Sequence, residues 1–263
     1  MLDPQELTVK LKRAMIVADD AVPNAPARVM DLVDGVVTLD PENVPEFPST
    51  SRNNVHYFGC EQLVSSVDVD RIVEFYNGEG VSRFFIWLSP NGQLEEIRLW
   101  LVERGFQRWQ GTGYPTLLRS AERLPEHQTD LVIRQVDAEE AAQYTSQIGN
   151  IYADPRFKPI FVETCGAPGH HHFLAFAGDQ PVSAGLLTIA DDLGVLGWMA
   201  TAEHARGQGG QSALIVDRVN LAEELGCQWV SGSTLYALES SLENMQRKGF
   251  EIVFDREVYG FGI

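Results

Sequence analysis

Hydrophobic positions in this chain follow two periods, and the switches between them outline the elements. In Asp3–Val17 the apolar residues Leu7, Leu11, Ala14 and Met15 share one helical face, and the polar stretch 19–27 (DDAVPNAPA) reads as a loop. Residues 31–40 (DLVDGVVTLD) predict a short strand or hairpin around Gly35, and the Pro-, Ser- and Asn-rich 41–54 an irregular connection. A strand at 55–60 (VHYFGC) and a helix at 67–80 ending at its glycines come next.

A unit then appears that the chain uses twice. Residues 83–88 (RFFIWL) read as a strand, 94–103 as a helix, and Arg104-Gly105-Phe106 as a stop before strand-like sequence to Leu118. Near the other end, 227–232 (CQWVSG) is strand-like, 242–247 helical, and Lys248-Gly249-Phe250 the stop before 251–261. The near-equal spacing from Leu88 to Gly105 and from Ser231 to Gly249 points to an internal duplication. Between the two, 121–130 (AERLPEHQTD) is charged and apolar-poor and makes the best domain boundary. Beyond it, 130–148 predicts strand then helix, and 170–201 three strands with Gly178-Asp179-Gln180-Pro181 as the first tight turn.

The most informative stretch lies between Trp198 and Leu225. An apolar strand, Val195–Ala200, enters the turn Arg206-Gly207-Gln208-Gly209-Gly210-Gln211, and an amphipathic helix starts close to Gln211. Glycines admit positive φ, and a helix start offers unpaired N–H groups and a positive dipole end, so this order can cradle an anion such as a pyrophosphate. It carries neither the Gly-Lys-Ser/Thr ending of a P-loop nor GxGxxG, which disfavours ATP and NAD.

Composition narrows the chemistry. Twenty basic against 37 acidic residues in 263 give a net charge of −17, which opposes nonspecific binding to nucleic acid or anionic membranes and makes a cationic amine a plausible substrate. No apolar run approaches the roughly 20 residues of a bilayer span, and the first residues lack the apolar core of a signal peptide, so a cytoplasmic protein is expected. Cys60, Cys165 and Cys227 are too far apart for a zinc or disulfide framework. His170, His171 and His172 alternate faces if extended, so a surface turn entering a strand explains them better than a metal site; no metal is expected.

The turn resembles the acyl-CoA signature of the GCN5-related N-acetyltransferases, Gln/Arg-x-x-Gly-x-Gly/Ala, matched by Arg206 and Gly209, with Gln211 where Gly or Ala is usual. Two outcomes are open at Gln211: crowding of the phosphates, or a side chain directed outward with its amide still usable. The resemblance implies a mixed α/β fold of two such domains, each a mostly antiparallel sheet flanked by helices: a degenerate copy at 1–124 and an acetyl-CoA-binding copy at 129–263. It implies a splay between two strands that receives the thioester beside Met199 and Ala200. The pyrophosphate falls on the turn, with Arg206, Gly207, Gln208, Gly209, Gly210, Gln211 and Ser212 as contacts. The family's usual general acid, a Tyr, falls at Met245, which cannot donate a proton. Tyr236 is the nearest alternative, with Glu203 and His204 as base candidates; Glu239 and Glu163 lack positional support. Trp198, Trp229, Met245 and Phe250 read as core. The expected activity is transfer of an acetyl group from acetyl-CoA to the primary amine of a small molecule, with a homodimer compatible. The alternative is a noncatalytic CoA-binding or regulatory module that keeps the fold.

Overall fold

A computed structural model describes residues 2–20, 33–43, 46–48, 51–111, 113–152 and 157–263. Most of the expected loop at 19–27 and parts of 41–54 lie outside them. The chain divides into two compact units. One, the C-unit, holds Thr116–Ile252; the other, the N-unit, holds the described residues from Leu2 to Pro115 together with the final segment Val253–Ile263.

The N-unit begins with α1 (Pro4–Asp20), β1 (Val36–Thr38), β2 (Asn54–His56), α2 (Ser66–Gly78), β3 (Phe84–Leu88), α3 (Leu94–Glu103) and β4 (Gln107–Arg108). Strand β5 (Tyr114–Ser120) passes into the C-unit. There follow β6 (Val132–Val136), α4 (Ala138–Gln143), α5 (Thr145–Tyr152), α6 (Phe157–Thr164), β7 (His170–Ala177), β8 (Gln180–Ala190), β9 (Leu193–Thr201), α7 (Gly210–Glu224), β10 (Trp229–Ser233) and α8 (Glu239–Arg247). The last strand, β11 (Glu251–Phe261), joins the N-unit from Val253. The fold is mixed α/β with mostly antiparallel pairing, as expected. Where one helix was expected after β6 there are three, and 251–261 forms one long strand.

In the N-unit, β1 pairs β2 antiparallel, β2 pairs β3 in parallel, and β11 lies antiparallel to β3 and β4. Alternation in β3 sends Phe84, Ile86 and Leu88 into a core with Val69, Ile72 and Tyr76 of α2 and Ile97 and Leu101 of α3. Helix α2 starts at Ser65, whose N–H donates to Asp68 Oδ2 at 2.8 Å. The Lys12 ammonium bonds both Asp34 and Glu61, which ties α1 to the segments flanking β1 and β2.

In the C-unit the strands run in the order β5, β10, β9, β8, β7, β6, antiparallel except for the parallel pair β9–β10. Helix α7 buries Ala213, Leu214, Ile215, Val216, Val219 and Ala222, more than a single stripe, and packs on β8 and β9. The duplication is visible in the topology. Each unit has a strand, a connection, a helix and then a parallel neighbouring strand followed by a second helix: β2–α2–β3–α3 and β9–α7–β10–α8. The connections differ. In the N-unit, a Cβ at Gly59 would meet Val64 and Ile97 side chains at 3.0 and 3.1 Å, so apolar groups fill that corner.

The histidine run departs from expectation. It is part of β7 itself, with His170 and His172 buried on one face; His172 Nε2 lies 2.9 Å from Thr164 Oγ1. Burial, with smaller contributions from His170 and His171, lowers the His172 pKa to about 3.

Candidate functional site

The parallel pairing of β9 and β10 runs from Leu193–Trp229 to Leu196–Gly232 and stops, although both strands continue. The strands therefore part after Leu196 and Gly232. At the same level β9 carries a bulge: Ala184 pairs Ala200 and Leu186 pairs Gly197, leaving Trp198 and Met199 opposite Gly185 alone. Trp198 has φ of 47°, a left-handed backbone that a bulky residue adopts at a cost of about 1–3 kcal/mol.

Arg218, on α7, holds this bulge. It is fully buried, and its guanidinium donates to the carbonyls of Leu214 (2.8 Å), Leu186 (2.9 Å) and Gly197 (3.3 Å), with Nη2 2.8 Å from Met199 Sδ. The guanidinium occupies the space a side chain at 185 would need: a Cβ there would lie 2.8 Å from Arg218 Cζ. Sequence reasoning missed Arg218; its one signal is a cation set among the apolar residues of a core helix.

Beyond β9 the chain makes a 3-10 turn, Glu203–Ala205, then the glycine-rich turn. Gly207 and Gly209 have φ of 81° and 85°, conformations that other residues rarely take. The first intrahelical bond of α7 is Ala213 N–H to Gly209 C=O at 3.0 Å. The amides from Gly210 to Ser212 therefore have no acceptor within the helix. Gly210 packs directly on β8, where a Cβ would lie 2.7 Å from Ser183 Oγ. Thr129 Oγ1 donates to the Gln208 carbonyl at 2.7 Å and latches the turn. An open groove of about 790 Å³, lined by 126–130 and 207–209, borders it.

The Gln211 side chain is engaged elsewhere: Nε2 donates to Ser241 Oγ at 3.1 Å and Oε1 accepts from Asn244. Both partners are on α8, so the side chain is held against that helix. Lys248 and His127, also unforeseen, stand beside the turn. Lys248 Nζ is 3.5 Å from His127 Nδ1, and a Cβ on Gly209 would lie 3.1 Å from His127 Nε2. Burial first and the neighbouring cation second lower both pKa values, Lys248 through Arg247 and His127 through Lys248. Arg206 is exposed.

The three proton-transfer candidates lie on segments after β9 and β10. Glu203 and His204 are exposed on the 3-10 turn, and Tyr236, also exposed, lies between β10 and α8. Met245 is 2% exposed, and its Cε fills the space beside Gly232, 2.7 Å from where a Cβ would stand. Glu239 opens α8 and Glu163 is exposed on α6, on different elements. Among the described residues one group, Asp34, Cys60 and Glu61, brings metal-type donors together, and Lys12 bonds both carboxylates there. No helix among them is long and apolar enough to cross a membrane.

Neither a protein-family model nor a curated protein matches the chain. Solved structures do. A GCN5-related N-acetyltransferase from Kribbella flavida is 18% identical, with 95% of each chain covered and a TM-score of 0.61. A tandem GNAT protein from the clavulanic acid biosynthesis pathway is 13% identical over 86% of this chain and 78% of its own, also with a TM-score of 0.61. A conserved protein of unknown function from Staphylococcus epidermidis is 12% identical over 91% of this chain and 96% of its own, with the same score.

Proposed function

We propose, from a chain that has the fold of the GCN5-related N-acetyltransferases, that the C-unit binds acetyl-CoA and transfers the acetyl group to the primary amine of a small molecule. One observation supports this most: the parting of β9 and β10, the braced bulge and the glycine-rich turn succeed one another along a single path. A thioester arm between the strands would meet the backbone at Met199 and Ala200. The pyrophosphate would meet the amides from Gly207 to Ser212, where the helix dipole and the absence of side chains at Gly207, Gly209 and Gly210 favour a dianion. Gln211, held to α8, does not obstruct it. Lys248 and Arg206 add local positive character in a protein whose net charge is −17.

In the reaction the amine nitrogen attacks the thioester carbonyl carbon. A backbone amide at the bulge stabilises the oxygen as negative charge develops. The C–S bond then breaks, the amide forms, and the sulfur receives a proton. Glu203 or His204, through water, takes the proton from the ammonium, and Tyr236 supplies the one for the thiolate. Release of free thiol from acetyl-CoA, followed with a disulfide reagent across a panel of primary amines, tests this. The reading predicts amine-dependent release that Gly209→Trp abolishes.

The buried Met245 at the family's usual acid position favours a second reading, a CoA-binding module without turnover. Acetyl-CoA binding with no thiol release from any amine in the panel would select it.

A further inference from the structure

The N-unit carries a set of polar groups that its own fold leaves unsatisfied. His56 pairs with Trp87 across β2 and β3, and Val258 pairs with Trp87 across β11 and β3. One step beyond the last β11–β3 pair, Glu257–Leu88, Arg256 comes opposite Ser89. Cross-strand partners and residues two apart share a face. His56, Trp87, Ser89 and Arg256 therefore share the face opposite Phe84, Ile86 and Leu88, which enter the helix-covered core.

Three of these side chains, those of His56, Trp87 and Arg256, touch. The Arg256 guanidinium lies 4.8 Å from the Trp87 ring centre, and the His56 ring stacks on Trp87 at 5.3 Å. Tyr114 meets the same indole at 4.6 Å. Trp87 Nε1 is satisfied by Asn54 Oδ1 at 3.0 Å. Three atoms are not: His56 Nδ1, Ser89 Oγ and Arg256 Nε are buried with no hydrogen-bond partner among the described residues. Buried polar atoms are nearly always paired, so three orphans on one face of one sheet need a common explanation. Among the described residues no carboxylate pairs with Arg256; Tyr57 and Tyr114 are the groups that favour its charge. Other partly buried arginines of the N-unit do have one: Arg98 pairs with Glu257 and Arg104 with Asp70.

We propose that this face of the N-unit, centred on Arg256, His56 and Ser89 over Trp87, is a binding site for a small-molecule carboxylate. The donor set selects the class. A guanidinium offers its fork to a planar two-oxygen acceptor, and Ser89 and His56 each add one neutral hydrogen bond. Burial and Arg256 lower the His56 pKa to about 3, so His56 stays neutral and the site holds a single positive charge. That charge matches a carboxylate and leaves half of a phosphate dianion uncompensated. The site is independent of the acyl-transfer reading.

The test titrates the full-length protein with acetate, benzoate and N-acetylglycine, each beside its neutral primary amide, following the Trp87 indole N–H resonance assigned by Trp87→Phe. The proposal predicts a saturable shift with at least one carboxylate and affinity at least tenfold weaker for its amide. Arg256→Met should lose the binding at least tenfold without lowering the Tm of the unliganded protein. Ser89→Ala, a smaller change, should weaken it about threefold and serves if Arg256→Met does not fold. No shift with any carboxylate, equal affinity for acid and amide, or binding that survives in both variants overturns the proposal.

Discussion

Replacing Arg218 with Met tests the bulge most severely, because the substitution keeps most of the side-chain volume and removes the guanidinium. Of its three carbonyl acceptors, Leu214 lies four residues earlier in α7 and keeps its helical partner, the Arg218 amide. The Leu186 and Gly197 carbonyls border the bulge and lose a charged donor. Leaving a buried acceptor unpaired costs about 1–3 kcal/mol, so the two together cost about 2–6 kcal/mol. Removing a fully buried cation returns part of that, because a buried charge is itself expensive. The net expectation is a loss of about 3 kcal/mol, read from urea unfolding. Affinity for acetyl-CoA should fall as well, since Trp198 is then free to leave its left-handed conformation and the bulge closes. A loss under about 1 kcal/mol with unchanged acetyl-CoA affinity would refute the idea that Arg218 braces the bulge.

The same geometry yields related expectations. Gly185→Ala places a Cβ 2.8 Å from Arg218 Cζ, and overpacking should cost about 1–3 kcal/mol in the same assay. Gln211→Ala breaks the bonds to Ser241 and Asn244, so it should lose about 1–2 kcal/mol of stability yet hold acetyl-CoA within about threefold, as about 0.6 kcal/mol or less; a large gain in affinity would mean that the side chain crowds the turn after all. His56 and His172 sit near 3 in the folded protein against about 6.5 unfolded. The unfolded chain therefore binds more protons below pH 6.5, and stability falls as pH drops. Between pH 6.5 and 5.5 the loss is about 1 kcal/mol for each histidine, and His172→Asn should remove about half of that slope; a flat profile over this range would contradict the burial argument.

Legibility in the sequence followed the range of the forces involved. The glycine-rich turn and α7 were readable because positive φ, an open helix start and helical periodicity are local. So was the duplication, since strand, helix and Gly-Phe stop recur at nearly equal spacing. The bulge was not: Trp198 looks like any core aromatic until Gly185 comes opposite it and Arg218, also distant in sequence, bonds its neighbours Gly197 and Met199. His127 and Lys248 were invisible for the same reason, being placed beside Gly209 by long-range packing. The membership of β11 in the N-unit is likewise decided by pairing with β3, from Glu257–Leu88 to Phe261–Phe84. His170 and His172 were misplaced because polarity suggested a turn, whereas alternation within β7 puts both on a buried face. Nothing in the chain itself foretold that Gln211 would be held by α8.

The central claim is that the turn from Arg206 to Gln211 cradles the pyrophosphate of acetyl-CoA, and isothermal titration of acetyl-CoA into wild type and Gly209→Trp tests it most directly. Gly209 has φ of 85°, and a Cβ there meets His127 Nε2 at 3.1 Å, so an indole displaces the turn. Binding of about 1–100 μM by wild type, near −8 to −5.5 kcal/mol, and loss of that binding in a variant that keeps its circular dichroism spectrum is the predicted result. No heat with wild type, or equal affinity in the two proteins, would contradict the claim.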